Sequence, residues 1–241
     1  MTTQTVTHHP VRSDVGATPA GATGGTTVPS NRWALAGLGA GITGAGAIAA
    51  SLSVSAVYDE TLDGDTAKIA DKLGDYVPNL IAFHVLAVVS AVLMIVFAAG
   101  LFRRLRATSR ADSIAPLVAF SGLFATAVVL VLGSGLDTEF IFAVGSDDAF
   151  VDPANAALYN HWIGTIPWCW GLLGLSGIAL FVLSRSGGVA RWLGVVGLVG
   201  GGLTLLLGIS PLQYMAGFTG PIGLIVVALG FLVGDRVYRG R

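Results

Sequence analysis

The chain has a single cysteine, two lysines and few charges of either sign. One thiol, Cys169, excludes an intrachain disulfide and any cysteine-built metal cage. Charged residues fill 11% of the 241 positions, whereas ordinary soluble domains carry about 25%. The two lysines, Lys68 and Lys72, lie outside every apolar run, so no helix can form a retinal-type Schiff base. Basic residues interleaved with aromatics are also missing, which argues against nucleic acid as a partner.

The composition that remains is 54% hydrophobic with 34 glycines, that of a membrane protein. Apolar runs of about 20 residues can cross roughly 30 Å of hydrocarbon as helix. Six such runs occur, at about 33–57, 79–102, 113–136, 156–184, 190–209 and 212–234. As helices they satisfy their backbone hydrogen bonds internally, which a bilayer demands. The expected fold is therefore all-α, a polytopic six-helix bundle over residues 32–241 in contact with lipid. Residues 1–31 are rich in Thr, Gly and Pro and have no apolar run, so they are expected to form a disordered cytoplasmic tail. A polar stretch of that length argues against a cleaved signal peptide.

Charge placement predicts orientation. With the N-terminus inside, all eleven arginines fall on the cytoplasmic side, and eleven of fourteen acidic residues fall outside in the loops 58–78 and 137–155. Both termini are then cytoplasmic. Within the outer loop, "DGDTAKIADKLGDYVPN" offers Asp65 as an N-cap and Ile69, Leu73 and Tyr76 at helical spacing, predicting a short interfacial helix ended by Pro78. An arginine-rich, lysine-poor chain fits a GC-rich bacterial genome and a cytoplasmic (inner) membrane.

Small residues predict the helix contacts, because helices in lipid associate where backbones can approach closely. Helix one carries Gly37, Gly41, Ala45 and Ala49 in one row and Ala40 and Gly44 in a second. Helix five carries Gly194, Gly197, Gly201 and Gly208, and helix four Gly164, Gly171 and Gly174. Pro167 lacks an N–H and should free a carbonyl near Ile163 or Gly164. Such glycine rows leave a homo-oligomer or a partner membrane subunit open. The hairpins His84–Gly133 and His161–Gly208 also have similar lengths and suggest a parallel repeat that sets both imidazoles at one depth.

Depth singles out the candidate site. At 1.5 Å per residue His84 and His161 lie within roughly 10 Å of the outer boundary, where helix three delivers Asp137 and Glu139. Thr165 continues the His161 stripe inward, and Trp168 lies too deep for an interfacial anchor, so it either fills the bundle or lines a pocket. The expected ligand-binding set is His84, Asp137, Glu139, His161, Thr165 and Trp168. One reading keeps the histidines structural, with Tyr159, Trp162 and Tyr76 as an outer aromatic belt. A second makes His84 and His161 axial ligands of haem b, an arrangement that looks like half of a cytochrome b core. A third makes His84, His161 and Asp137 zinc ligands of an intramembrane hydrolase with Glu139 as general base. No charged residue crosses the membrane interior, which disfavours coupled ion transport.

Two stretches, "AGLFRRLR" closing helix two and "SRSGGVARWLGVVGLVGGG" joining helices four and five, resemble the turns of an uncharacterised six-helix bacterial integral membrane protein family of unknown function. The likeness spans residues 79–235; it implies six helices and carries no functional residue. Residues and resemblance together lead to the expectation of a non-enzymatic membrane protein that takes a small ligand or partner subunit in an outward pocket.

Overall fold

The computed structural model describes residues 31–144 and 151–235; the expected tail, apart from Asn31, lies outside the described residues, as do Asp147, Asp148 and the last residues of the chain. Among the described residues there is no strand, and six helical segments are long and apolar enough to cross a membrane: Trp33–Leu52, Val77–Arg106, Ala115–Ala143, Pro153–Arg185, Arg191–Ile209 and Gln213–Gly234. Among the described residues the arginines gather at one end of the bundle, with Asp112 and Asp235, and both lysines and the other acidic residues at the opposite end.

Helix α1 (Trp33–Leu52) packs between α3 (Val77–Arg106) and α10 (Ala216–Leu229). Its glycines admit large partners: Gly37 lies under Phe97, and Gly44 under Trp170. The buried row is Gly37, Ala40, Gly41, Gly44 and Ile48, whereas Ala45 and Ala49 are exposed, so only the first half of the expected Gly37–Ala49 row is an interface. Ser90 adds an interhelical hydrogen bond, donating to the Ala40 carbonyl at 2.8 Å.

Span one stops at Leu52, earlier than the apolar pattern suggests, and the chain turns through short 3-10 segments before α2 (Thr66–Gly74). Asp65 caps α2 as expected, its carboxylate accepting from the backbone N–H groups of Ala67 and Lys68. Ile69 and Leu73 are buried and Lys68 and Asp71 are exposed, so α2 lies with its apolar face down. It caps a second small core of Leu80, Phe83, Phe140, Ala156 and Tyr159 above the acidic end of the bundle. This core is built from α5 (Asp137–Ala143) and α6 (Pro153–Thr165), elements that occupy part of the stretch expected to be loop.

Span four is broken. Helix α6 ends at Thr165, 3-10 turns cover Ile166–Trp168 and Gly171–Leu173, and α7 (Gly174–Arg185) completes the crossing. Pro167 is the cause, because it cannot donate to Ile163 and its ring crowds that turn. The freed Ile163 carbonyl accepts instead from the Ser51 hydroxyl of α1 at 2.6 Å, which satisfies it without water. Trp170 is fully buried beside the break and donates its indole N–H to the Pro167 carbonyl at 2.8 Å. Below it, Gly171 meets Gly208, and Gly174 and Gly177 meet Gly197 and Gly201 of span five backbone to backbone. The matching segment of span two is unbroken, so the two hairpins differ at this point.

The basic end is fastened by a buried ion pair. Arg104, at the end of α3, donates from Nε and Nη2 to the two oxygens of Asp235 at 2.6 and 2.7 Å, and from Nη1 to Thr108. The bidentate geometry ties the last turn of span two to the end of span six. Asn31 adds a donation to the Leu232 carbonyl at 2.7 Å, so the two ends of the described chain meet there.

Candidate functional site

Three successive residues of α6 point to three different neighbours. Tyr159 faces span three, where its hydroxyl donates to Asp137 Oδ1 at 2.8 Å. Asn160 faces the turn after span one, accepting from the Val57 N–H at 2.9 Å and donating to the Val54 carbonyl at 3.1 Å. His161 faces away from both, its ring edge-on to Tyr58 with centroids 5.6 Å apart. A helix turns by about 100° per residue, so Tyr159 and His161 lie ~160° apart around α6. The predicted pocket is thereby divided into two sites.

The first site is closed. Asp137 is completely buried, and its second oxygen meets His84 Nδ1 at 3.0 Å. With Tyr159 donating to one oxygen and the imidazole to the other, the carboxylate has the partners a buried charge requires. Phe140 stacks on the Tyr159 ring at 4.2 Å and 3°. His84 is half-buried at the edge. The arrangement is a clasp joining spans two, three and four. Glu139 does not join the clasp's hydrogen bonds: two residues beyond Asp137 on α5, it is exposed and borders an adjoining groove of about 450 Å³ that Phe140, Tyr159, Asp152 and Trp162 also line.

The second site is open. A groove of about 370 Å³ runs between the end of span one, the break in span four and the start of span six. Its walls are Leu52, Trp168, Met215 and Phe218, with Tyr58 and Tyr214 at the polar edge. Trp168 and Phe218 meet edge to face at 4.8 Å. Thr165 donates to the His161 carbonyl at 2.8 Å, which leaves its oxygen to accept from the Tyr214 hydroxyl at 3.2 Å. Gly164 makes room for Tyr58, since a Cβ there would lie 3.2 Å from the Tyr58 hydroxyl. Partial burial and the neighbouring Tyr214 raise the Tyr58 phenol above its ordinary value, so the hydroxyl remains a donor at neutral pH.

These positions correct several expectations. His84 and Asp137 come together, and His161 and Thr165 each meet a tyrosine of the groove that Trp168 lines, but the two groups stand on opposite sides of α6. A helix is about 10 Å across with its side chains, and no single metal ion or haem iron bridges around it. Among the described residues no three His, Cys, Asp or Glu side chains gather to hold a metal ion. The zinc set of His84, His161 and Asp137 with Glu139 as base is therefore not assembled, nor is the His84–His161 haem pair. Tyr159 is a buried clasp residue rather than an interfacial anchor, and Trp162 donates its indole N–H to the Gly133 carbonyl at 2.8 Å. Sequence reasoning missed Asn160, Tyr58 and Tyr214. The adjacent "YNH" in an otherwise apolar span was the available signal, since three polar side chains in a row must face three directions on a helix.

Compared with known proteins, the chain matches no family model, no curated protein and no solved structure.

Proposed function

We propose that this is a non-enzymatic multi-pass protein of the bacterial cytoplasmic membrane, with both termini inside, that binds a small ligand in the groove beside His161. Orientation rests on the positive-inside rule: the short arginine-bearing turns at the basic end belong in the cytoplasm. The groove then opens outward. The observation that carries the binding role is the groove's position at the break of span four, lined by aromatics and edged by hydroxyls. Discontinuous membrane helices are a recurrent way to build a binding site within a bundle. A few hundred cubic ångströms, mostly apolar with a few converging polar groups, is the form of a small-molecule site.

The alternative location, the groove of about 450 Å³ that Glu139, Phe140 and Tyr159 line, is offered no free acceptor by Asp137, because each oxygen of that carboxylate already has a protein partner. Native mass spectrometry of the protein released from its own membrane tests the role. Wild type is expected to retain one bound molecule per chain, and Gly164→Val, which fills the groove beside Tyr58, to lose it. Retention of the same adduct by a folded Gly164→Val protein, or no adduct on wild type, overturns the reading.

A further inference from the structure

We infer that the ligand is a membrane lipid of no net charge, one of whose acyl chains enters the groove sideways from the bilayer. This rests on the binding role proposed for the same groove and names its occupant. Three observations converge.

The first is level. Helix α1 has 20 residues, the length that crosses roughly 30 Å of hydrocarbon. Ser51 and Leu52, which line the groove, therefore sit where acyl chains give way to head groups.

The second is access. Leu52, Met215 and Phe218 are at once walls of the groove and exposed apolar surface on membrane-spanning helices or their ends. The groove thus continues the surface that lipid already covers. Trp168 lies at its inner side and is only 6% exposed, so a chain lying flat on the bundle does not reach it whereas a chain inside the groove does.

The third is charge. The polar edge consists of the Tyr58 and Tyr214 hydroxyls, backed by the His161 ring and by Thr165, with Asp59 and Glu60 following Tyr58 in the chain. Among the described residues no lysine or arginine lines the groove. Hydroxyls suit the ester and phosphate oxygens of a head group that carries its own cation, and the nearby acids disfavour a net anion.

Reconstitution with chain-brominated lipids tests the proposal, because bromine quenches an indole only at short range. The full chain is placed in phosphatidylcholine vesicles doped with brominated phosphatidylcholine, or with brominated phosphatidylglycerol. Trp168 emission is taken as the difference between wild type and Trp168→Phe. The expected result is quenching of Trp168 to less than half by the zwitterionic lipid, saturating at a low mole fraction, with the anionic lipid at least threefold weaker.

Gly164→Val should abolish the quenching. The substitution is mild, because a Cβ there meets only the end of the Tyr58 side chain within 3.4 Å. Tyr214→Phe, which removes one hydroxyl, should reduce the preference between the two lipids and leaves a second test should Gly164→Val fail to fold. Unquenched Trp168, or quenching that survives in folded Gly164→Val, overturns lipid entry. Equal quenching by both lipids overturns the head-group assignment. If Trp168 stays dark to brominated chains while wild type still carries a non-lipid adduct that Gly164→Val loses, the binding role stands and the lipid does not.

Discussion

The two sides of α6 use similar residues to opposite ends. On the Tyr159 side, an imidazole, a phenol and a carboxylate are drawn into one another at 2.8–3.0 Å, with the acid fully buried. On the His161 side, two phenols edge an open groove, one against the His161 imidazole and the other hydrogen-bonded to Thr165, and the phenol of Tyr58 is largely exposed. Residue type does not separate a structural site from a binding site here. Satisfaction does: polar groups that have spent their hydrogen-bonding capacity on one another hold the fold, and those facing space remain for a ligand.

Breaking the clasp should have the largest effect. Asp137→Ala removes the acceptor for both Tyr159 and His84 and leaves a void in the upper core; the buried Tyr159 hydroxyl left without a partner alone costs about 1–3 kcal/mol, and the void adds to that. The unfolding midpoint in mild detergent should fall steeply. Asp137→Asn keeps one acceptor and should cost about 1–2 kcal/mol. His161→Ala, on the exposed side, should stay within ~0.5 kcal/mol of wild type. Comparable losses for Asp137→Ala and His161→Ala would erase the distinction between the two sides.

How far this division was legible beforehand follows from what a linear sequence encodes. Apolar run length identified six spans, and the N-cap with helical spacing identified α2, because both are local signals. Pro167 even narrowed the carbonyl in need of a new donor to that of Ile163 or Gly164, and it is Ile163. Depth was legible too: counting residues from the helix ends brings His84, Asp137 and the 159–161 segment to one level. Direction around the helix axis was not. It depends on which face of α6 meets which neighbour, and that is set by contacts such as Ser51 with Ile163 and Asn160 with Val54, between residues more than a hundred positions apart. The Arg104–Asp235 pair was hidden for the same reason, its members standing 131 positions apart.

A middle-sized effect should come from Ser51, whose hydroxyl serves the broken span rather than a ligand. Ser51→Ala leaves the buried Ile163 carbonyl without its donor, a loss of about 1–2 kcal/mol. Pro167→Ala restores an N–H that can reach that carbonyl if the helix closes. In the Pro167→Ala background Ser51→Ala should therefore cost less, by at least ~0.5 kcal/mol in a double-mutant cycle. Additive losses would mean that the proline is not the reason Ser51 is needed.

The smallest effect sharpens the open side. Tyr58 ionises above its ordinary value of 10.0, first because it is partly buried and second because Tyr214 lies alongside. With the folded value raised, the native state keeps the proton where the unfolded chain loses it. The resulting stabilisation is complete below pH ~10 and disappears as pH rises through the folded value. Ultraviolet titration of wild type minus Tyr58→Phe should show the phenolate only above that point. Groove occupancy should be level from neutral pH up to it and then fall, as the donor becomes an anion beside Asp59 and Glu60. A phenolate appearing below pH 10 would mean that Tyr58 stands free in water, and the groove would lose the hydroxyl at its edge.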